Sequence, residues 1–354
     1  MTIKNPYNNL PKIAFWRSGV VESSPFNITD IYKKKWKIES NWKIATAGSC
    51  FAQHISQNLI KNGYNVLDME PPPRGLSIKL HKKYGFSMYS CCFGNIYTVH
   101  QLLQLAQEAY GNFEPFDIAW EKDGKYFDAL RPAVEPDGLT AVNELYTHRK
   151  YHLSRVRKML QTMDVFIFTM GLTEAWEHQE SGTIYPIAPG IIAGKFDEKV
   201  FAFRNFKFQE IIEAFNKFQD ILIKLRGEDN LPKMFLTVSP VPLTATASGN
   251  HVLSATVQSK SILRAVTGQL SSENNHIDYF PSFEIITNQN ARGSFYKNNM
   301  RSVRPEGVDV VMKSFFSEHN TKKIDSMAAN LQVIQTDETD NIQCEEALLE
   351  AFRT

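Results

Sequence analysis

The chain has 354 residues, enough for one large α/β domain or two modest ones. Its 39 basic and 38 acidic side chains leave a net charge of +1, which excludes a strong overall attraction to nucleic acid or to an acidic membrane surface. No apolar run reaches the roughly 18 residues of a membrane span, so we expect a soluble globular protein without a membrane span.

The N-terminal segment and the cysteines bear on where the protein is found. Residues 1–42 are rich in Asn, Pro and Trp, show no clear period and lack the apolar core of a signal peptide. The cysteines contain no Cys-x-x-Cys pair, so neither a zinc site nor a disulfide framework is expected; they are Cys50, Cys91, Cys92 and Cys344. Reduced thiols and no leader predict a cytoplasmic protein.

A strand and a helix open the main domain. "KIATAG" is a short apolar run that Gly48 closes, and "SCFAQHISQNLIKNG" follows with apolar residues at helical spacing. Gly63 supplies the C-terminal stop of this helix, and "YNVLDM" predicts a second strand. The segment 43–69 is therefore predicted to be a β-α-β unit.

The middle of the chain continues with a hairpin, a basic helix and a strand. "DIAWEKDGKYFDAL" has two alternating runs around Asp123-Gly124, which predicts a hairpin inserted into the main domain. "ELYTHRKYHLSRVRKMLQTM" predicts a basic amphipathic helix, and "DVFIFTMG" is the strongest buried-strand run of the chain. The basic helix lacks an aromatic platform, so no nucleic-acid partner is expected.

The second half repeats the alternation of helices and strands. Helices are predicted for 205–227, 254–273 and 305–319, and strands for 233–243 and 277–286. This order implies an α/β protein with a mostly parallel sheet and helices on both faces. The predicted organisation is an irregular arm over 1–42, one α/β domain over 43–320 and a polar tail over 321–354 with a short helix near 343–352.

The turn Gly48-Ser49-Cys50 is the first candidate for chemistry. In open α/β sheets ligands bind outside the carboxyl ends of the strands, and the amides of a helix N-terminus favour negative charge. A thiol placed there forms a thiolate more readily, whereas Ser49 would need a neighbouring base. The spacing also fits a structural role, with Ser49 capping the helix and Cys50 as a small buried apolar residue.

Three stretches resemble one known family. "GSCFA", from Gly48 to Ala52, is the signature after which the GSCFA domain family is named, and "FTMGLTEAW" and "DYFPSFEII" are similar to further parts of it. The resemblance covers about residues 40–315. The family resembles the SGNH/GDSL hydrolases, which implies a three-layer α/β/α fold of esterases and acyltransferases.

The resemblance to SGNH hydrolases implies roles for particular residues. In the first block, Gly-Asp-Ser, Ser49 falls on the Asp and Cys50 on the nucleophile, with Ser49 as the nucleophile if the loop is shifted by one residue. The second block supplies an oxyanion-hole glycine, for which Gly94 with Asn95 beside it is the candidate match. The third block, Gly-x-Asn-Asp, is matched at Gly171, while its Asn and Asp are replaced by Thr173 and Glu174. Thr173 can still donate one hydrogen bond to an oxyanion.

The last block of that pattern, Asp-x-x-His before the closing helix, has no counterpart, because "NNMRSVRPEGV" holds no histidine. A base must then come from elsewhere, and His251, in a small-residue loop after a strand, is the first candidate. Glu174 could orient a base, act as one, or form a salt bridge to Arg301 or Arg304. These two arginines could instead hold an anionic substrate group at the vacated position. His54 is a weaker candidate base.

The absence of several well-known motifs argues against some classes of function. The chain has no G-x-x-x-x-G-K-[ST] loop, no G-x-G-x-x-G in the first βα turn and no H-E-x-x-H, so no cofactor and no metal are expected. Two functions stay open. One is acyl transfer by an esterase, deacetylase or O-acyltransferase on a glycan or small acylated substrate. The other is a degenerate member that binds a sugar or an acyl carrier without catalysis. The oligomeric state is not predicted.

Overall fold

The computed structural model describes residues 5–319 and 345–353 and groups them into two compact units. The larger unit contains residues 38–279 and 345–353, and the smaller unit contains residues 5–37 and 280–319. Cys344 and most of the predicted tail lie outside the described residues. In the part of the chain that the structure describes, no helix is both long and apolar enough to cross a membrane.

Strands and helices alternate along most of the larger unit. Within the described residues the strands are β1 (Ile44–Gly48), β2 (Ala119–Lys122), β3 (Lys125–Asp128), β4 (Val165–Met170), β5 (Glu174–His178), β6 (Ile184–Tyr185), β7 (Phe201–Asn205), β8 (Lys233–Val238) and β9 (Ile277–Tyr279). The α-helices are α1 (Phe51–Lys61), α2 (Ile78–Lys83), α3 (Val99–Tyr110), α4 (Val142–Thr162), α5 (Phe208–Arg226), α6 (Val252–Glu273), α7 (Ser282–Thr287) and α8 (Pro305–His319). A 3-10 helix, Glu345–Phe352, follows near the C-terminus.

A four-stranded parallel sheet forms the centre of the larger unit, in the order β1-β4-β8-β9. Every residue of β1 and β4 is buried, as expected for parallel strands covered on both faces. Helices α1 and α6 pack against the sheet, and Phe218 of α5 lies 5.8 Å from Phe166 of β4 between ring centres. The sheet flanked by helices confirms the predicted α/β class and is consistent with a three-layer α/β/α fold.

Three of the predicted strands are shorter than expected. The strand predicted for 233–243 ends at Val238, two residues before Pro240. The segment after α1 forms only a single parallel bridge, between Val66 and Ile44, and the three prolines from residue 71 follow soon after. The strand predicted for 277–286 ends at Tyr279, and α7 begins three residues later with Pro281 at its N-cap position. Proline lacks the amide hydrogen that a strand needs, so the chain leaves the sheet there.

The inserted hairpin is confirmed, and a second small sheet accompanies it. Strands β2 and β3 are antiparallel, and Asp123 and Gly124 in the turn both have positive φ, as a tight two-residue hairpin requires. The second sheet has the order β6-β5-β7 and was not predicted from the sequence. The two sheets share an apolar cluster that includes Trp120, Tyr185 and Phe201. The fully buried Tyr185 is thus a core residue.

The smaller unit joins the N-terminal arm to the closing helix. The hydroxyl of Tyr32 lies 3.1 Å from Nε2 of the buried His319 in α8, and the Tyr32 ring meets that of Phe280 edge-on at 5.2 Å. The arm is largely irregular, as predicted, apart from a π-helical turn at Arg17–Val21 and a short 3-10 helix at Lys12–Ala14.

Candidate active site

The turn that follows β1 depends on a glycine. Gly48 has φ of 135°, and a Cβ at this position would lie only 2.4 Å from the carbonyl oxygen of Thr169 in β4. Any larger residue would therefore force β1 and β4 apart. The close approach lets the Ser49 amide donate to the same Thr169 oxygen at 3.1 Å, which fixes the turn to the end of β4.

Cys50 lies at the N-terminus of α1, and Ser49 does not cap that helix. The N-cap position belongs to Cys50, and no side chain caps the first turn. Both side chains are buried, with Cys50 6% exposed and Ser49 3% exposed. The Ser49 hydroxyl is buried and has no hydrogen-bond partner among the described residues. The capping role considered for Ser49 is therefore not observed.

Backbone hydrogen bonds bring the three sequence blocks together. The Ile96 amide donates to the Gly48 carbonyl at 3.0 Å, which lays the segment after Gly94 alongside the end of β1. One residue further, the Tyr97 carbonyl accepts from the amides of Gly171 at 2.9 Å and Leu172 at 3.2 Å. The stretches "GSC", "GNIY" and "GLT" thus meet at the carboxyl ends of β1 and β4, where the sequence placed the site.

Tyr89 sets the orientation of the Asn95 amide. Its hydroxyl lies 2.5 Å from Asn95 Oδ1 and 3.2 Å from the Ser49 carbonyl oxygen, and Gln53 Nε2 lies 3.2 Å from the same hydroxyl. Because the side-chain oxygen of Asn95 faces Tyr89, its Nδ2 points the other way and serves as a hydrogen-bond donor.

A carboxylate from the C-terminal segment accepts the hydrogen bond that Asn95 Nδ2 donates. Oε2 of Glu345 accepts a hydrogen bond from Asn95 Nδ2 and a second from the Tyr97 hydroxyl at 2.7 Å. Glu345 is only 3% exposed. A Cβ at Gly94 would lie 3.4 Å from Oε1 of the same carboxylate, an ordinary van der Waals contact, so glycine is favoured there by its φ of 66° and not by lack of space. No motif in the sequence points to Glu345, because it belongs to a polar C-terminal extension.

A buried lysine forms a hydrogen bond to the backbone of the stretch "GLT". Lys260 of α6 is 3% exposed, and its ammonium donates to the carbonyl oxygen of Gly171. The preceding Ser259 accepts the amide of Thr173 at 3.0 Å, and Thr173 donates its own hydroxyl to Asn205 at 2.7 Å. Lys260 lies three residues before the buried Leu263, so a lysine on the apolar face of a helix was the signal that could have identified it.

The GSCFA family model matches residues 43–315. The chain belongs to the GSCFA family. A comparison with curated proteins found no match. The signature of this GSCFA protein, Gly48 to Ala52, contains the turn that β1 and β4 hold in place. The stretch "GLTEAW" begins directly after the carboxyl end of β4, which pairs with β1.

Glu174 of the GSCFA chain lies at the edge of an apolar cavity. Thr246 donates its hydroxyl to Glu174 Oε1 at 2.8 Å, and partial burial raises the pKa of the Glu174 carboxyl despite that bond. The cavity has a volume of about 190 Å³, and its lining comes mainly from apolar side chains of β5 and neighbouring loops together with two residues of the C-terminal segment: Leu172, Trp176, Ile187, Leu243, Glu346 and Leu349.

The remaining predicted residues lie in separate places. His251 is exposed and caps α6, where its Nδ1 accepts from the Leu253 amide at 3.1 Å, so its role as a base stays a prediction. His54 packs its ring against Phe51 in α1. Arg301 and Arg304 belong to the smaller unit, and their role in holding an anionic group also stays a prediction.

No group of three or more His, Cys, Asp and Glu side chains that could hold a metal ion occurs in residues 5–319 or 345–353. Cys91 and Cys92 are buried, and burial raises the pKa of both thiols, so neither resembles an activated nucleophile.

Proposed function

We propose that this GSCFA-family protein is an acyl-transfer enzyme, an esterase, deacetylase or O-acyltransferase, with its nucleophile on the turn Ser49-Cys50. The observation that carries the proposal is the convergence of "GSC", "GNIY" and "GLT" at one edge of the sheet, in the order that an SGNH-like site requires. A glycan or a small acylated compound, in the cytoplasm, is the substrate we propose.

Cys50 is the proposed nucleophile because it occupies a helix N-terminus, where backbone amides stabilise a thiolate. Its sulfur forms a bond to the carbonyl carbon of the acyl donor, and the carbonyl electron pair moves to the oxygen. The tetrahedral intermediate then expels the leaving group, which takes up a proton, and leaves a thioester. Water or an alcohol attacks the thioester and restores the thiol. Ser49 is the alternative nucleophile.

An oxyanion needs hydrogen-bond donors, and the candidate donors differ in the groups to which they already donate. The Ser49 and Gly171 amides already donate within the backbone, and the Thr173 hydroxyl donates to Asn205. Asn95 Nδ2 is also engaged, but its partner is an anion, the carboxylate of Glu345, so an oxyanion that replaced this carboxylate would meet a donor already placed for negative charge. The buried ammonium of Lys260 donates to the Gly171 carbonyl and so brings a positive charge to the stretch "GLT".

Glu174 and His251 are the two candidate proton acceptors. Glu174 has a raised pKa, which makes its carboxylate a stronger proton acceptor than an exposed glutamate. His251 lies at the exposed end of α6 and would have to reach the nucleophile from there. Either residue fits the proposed chemistry, and the pH dependence of acylation would separate them.

The alternative function is binding without catalysis. It is favoured by the missing Asp-x-x-His and by the burial of the Cys50 thiol, which is only 6% exposed. In this case the site would bind a sugar or an acyl carrier, and no covalent intermediate would form.

A covalent-labelling experiment separates the two functions. The protein is mixed with p-nitrophenyl acetate, and acylated peptides are located by mass spectrometry. The proposal requires acetylation within the peptide that contains Ser49 and Cys50, its loss in Cys50→Ala and its retention in Cys344→Ala. Persistence in Cys50→Ala with loss in Ser49→Ala would move the nucleophile by one residue. Absence of label on both residues would support the binding function.

A further inference from the structure

The donors Asn95 and Tyr97 form a built site for an anion. Their Nδ2 and hydroxyl groups converge on one oxygen of Glu345, and both residues are buried. Each is fixed independently of the carboxylate: Asn95 by Tyr89, and the Tyr97 backbone by Gly171 and Gln101. A carboxylate can accept from both donors at once, whereas a neutral carbonyl would gain less from them.

A buried carboxylate is stable only where the surroundings compensate for the lost water. The backbone of Tyr97 is also linked to a cation: the Lys260 ammonium donates to the Gly171 carbonyl, and the Gly171 amide donates to the Tyr97 carbonyl. The residue whose hydroxyl binds the carboxylate is therefore held, through Gly171, by a buried lysine. This arrangement is typical of a site that binds negative charge.

The segment that supplies Glu345 also fills part of the neighbouring cavity. Glu346 and Leu349 line the cavity of about 190 Å³ together with Leu172 and Trp176, and Leu349 packs against the apolar cluster around Trp120. The 3-10 helix Glu345–Phe352 thus presents a carboxylate to the donors and an apolar side chain to the cavity. Its remaining large side chains, Leu348 and Phe352, are exposed.

We infer that Asn95, Tyr97 and the adjoining apolar cavity form a binding site for a ligand that carries a carboxylate close to an apolar group, and that segment 345–352 is the internal occupant of this site. A ligand of this chemistry competes with Glu345 and Leu349 for the same donors and the same cavity. The inference uses the site of the proposed function but does not depend on acyl transfer.

The occupant has a strong advantage over a ligand in solution, because it belongs to the same chain. Binding of a segment of the same chain is an intramolecular event, which raises its effective concentration over that of a free ligand. Residues 320–344 lie between α8 and the segment. A mutation that weakens the occupant is therefore expected to raise the apparent affinity for an external ligand.

The test uses an N-acetylated fluorescent peptide with the sequence of residues 345–354 and the full-length chain. In Glu345→Gln/Leu349→Ala we expect the peptide to bind about tenfold or more tightly than it binds the wild-type chain, by fluorescence anisotropy. Leu348→Ala, which changes an exposed leucine of the same helix, is the matched control and should behave as wild type. A peptide with Gln at the first position should bind about tenfold or more weakly, because it lacks the charge.

Equal affinity of the wild-type and doubly substituted chains for the peptide, no saturable binding to either, or equal affinity of the Glu and Gln peptides would overturn the inference. Glu345→Gln alone, which keeps the shape of the side chain, provides a second measurement: hydrogen exchange of amides 346–352 should be several-fold faster than in Leu348→Ala. Unchanged exchange would also overturn the inference. Neither measurement involves Cys50, so the outcome of the acylation experiment does not decide the outcome of these two.

Discussion

Oε2 of Glu345 lies 2.7 Å from the hydroxyl of Tyr97, although 248 residues separate the two positions in the chain. The contact ties the C-terminal segment to the block "GNIY", whose backbone also meets the ends of β1 and β4. A site that looks local in the sequence is thus completed by a distant residue. The signature Gly48 to Ala52 supplies the turn and the candidate nucleophile, and the tail supplies the anion.

The first prediction concerns the turn itself. Gly48→Ala places a Cβ 2.4 Å from the Thr169 oxygen at a φ of 135°, so we expect a loss of about 3 kcal/mol or more in the free energy of unfolding. Gly63→Ala is the matched control, because Gly63 also has positive φ but nothing lies within 4 Å of its added Cβ. Its cost should be about 1 kcal/mol. Denaturant titration of both variants measures the difference, and equal costs would contradict the steric argument.

The second prediction concerns His152, a buried histidine of α4. Burial lowers the pKa of His152 to about 4, with the charge of Arg131 adding to the effect, while Glu70 accepts a hydrogen bond from its Nδ1 at 2.7 Å. Burial alone would raise the pKa of Glu70, but the hydrogen bond and charge of His152, the charge of Arg131 and the amide of Cys92 together lower it. Both directions describe a neutral imidazole that donates to an ionised carboxylate.

Stability should therefore depend on pH through His152. The unfolded chain binds a proton near the ordinary histidine pKa of about 6.5, and the folded chain only near 4. The contribution is complete above about pH 6.5 and is lost as the pH falls toward about 4, at up to about 1.4 kcal/mol per pH unit. His152→Gln should reduce this slope in denaturant titrations, whereas His148→Gln, an exposed position on the same helix, should keep it. Equal slopes in the two variants would refute the assignment.

Much of the fold follows from local patterns in the sequence. The segments of β1, β4 and β8 are apolar runs, and α4, α5 and α6 show helical spacing, so these elements were predicted. The place of the turn Gly48 to Cys50 followed from the rule that ligands bind at the carboxyl ends of parallel strands. The small sheet of β5, β6 and β7 was missed because its strands are short and mix charged with aromatic residues.

The residues missed at the site are those that depend on tertiary contacts. Lys260 has the spacing of a buried residue in α6 but the chemistry of a surface one, and only packing shows that its ammonium reaches Gly171. Glu345 belongs to a segment with no recognisable motif, and its partners lie 248 and 250 residues earlier. Spacing arguments relate residues within one element and cannot anticipate such pairs.

The third prediction concerns the titration of Glu174. Partial burial raises the pKa of this carboxyl, and the hydroxyl of Thr246 opposes that shift by donating to the carboxylate. Thr246→Val should therefore raise the pKa of Glu174 further, because only the desolvation remains. Ser248→Ala is the control, since Ser248 contacts Thr246 and not the carboxylate. NMR titration of the side-chain carboxyl measures the change, and a pKa that falls or stays constant in Thr246→Val would contradict the assigned cause.

If Glu174 accepts the proton in the proposed reaction, Thr246→Val should also move the acid limb of the pH–rate profile. A group that must be deprotonated is active only above its pKa, so a higher pKa shifts this limb to higher pH. An unchanged acid limb combined with a raised pKa would exclude Glu174 as the base and leave His251 as the candidate.

The last prediction tests the pairing of Asn95 with Glu345 by a double-mutant cycle. Asn95→Asp replaces a buried donor with a carboxylate that faces a second carboxylate, so we expect a loss of about 2 kcal/mol or more in the free energy of unfolding at neutral pH. Glu345→Gln alone should cost about 1 kcal/mol. In the double variant the Gln amide can donate to the Asp carboxylate, so the total loss should be smaller than that of Asn95→Asp alone. Additive losses in denaturant titrations would show that the two side chains do not interact in solution.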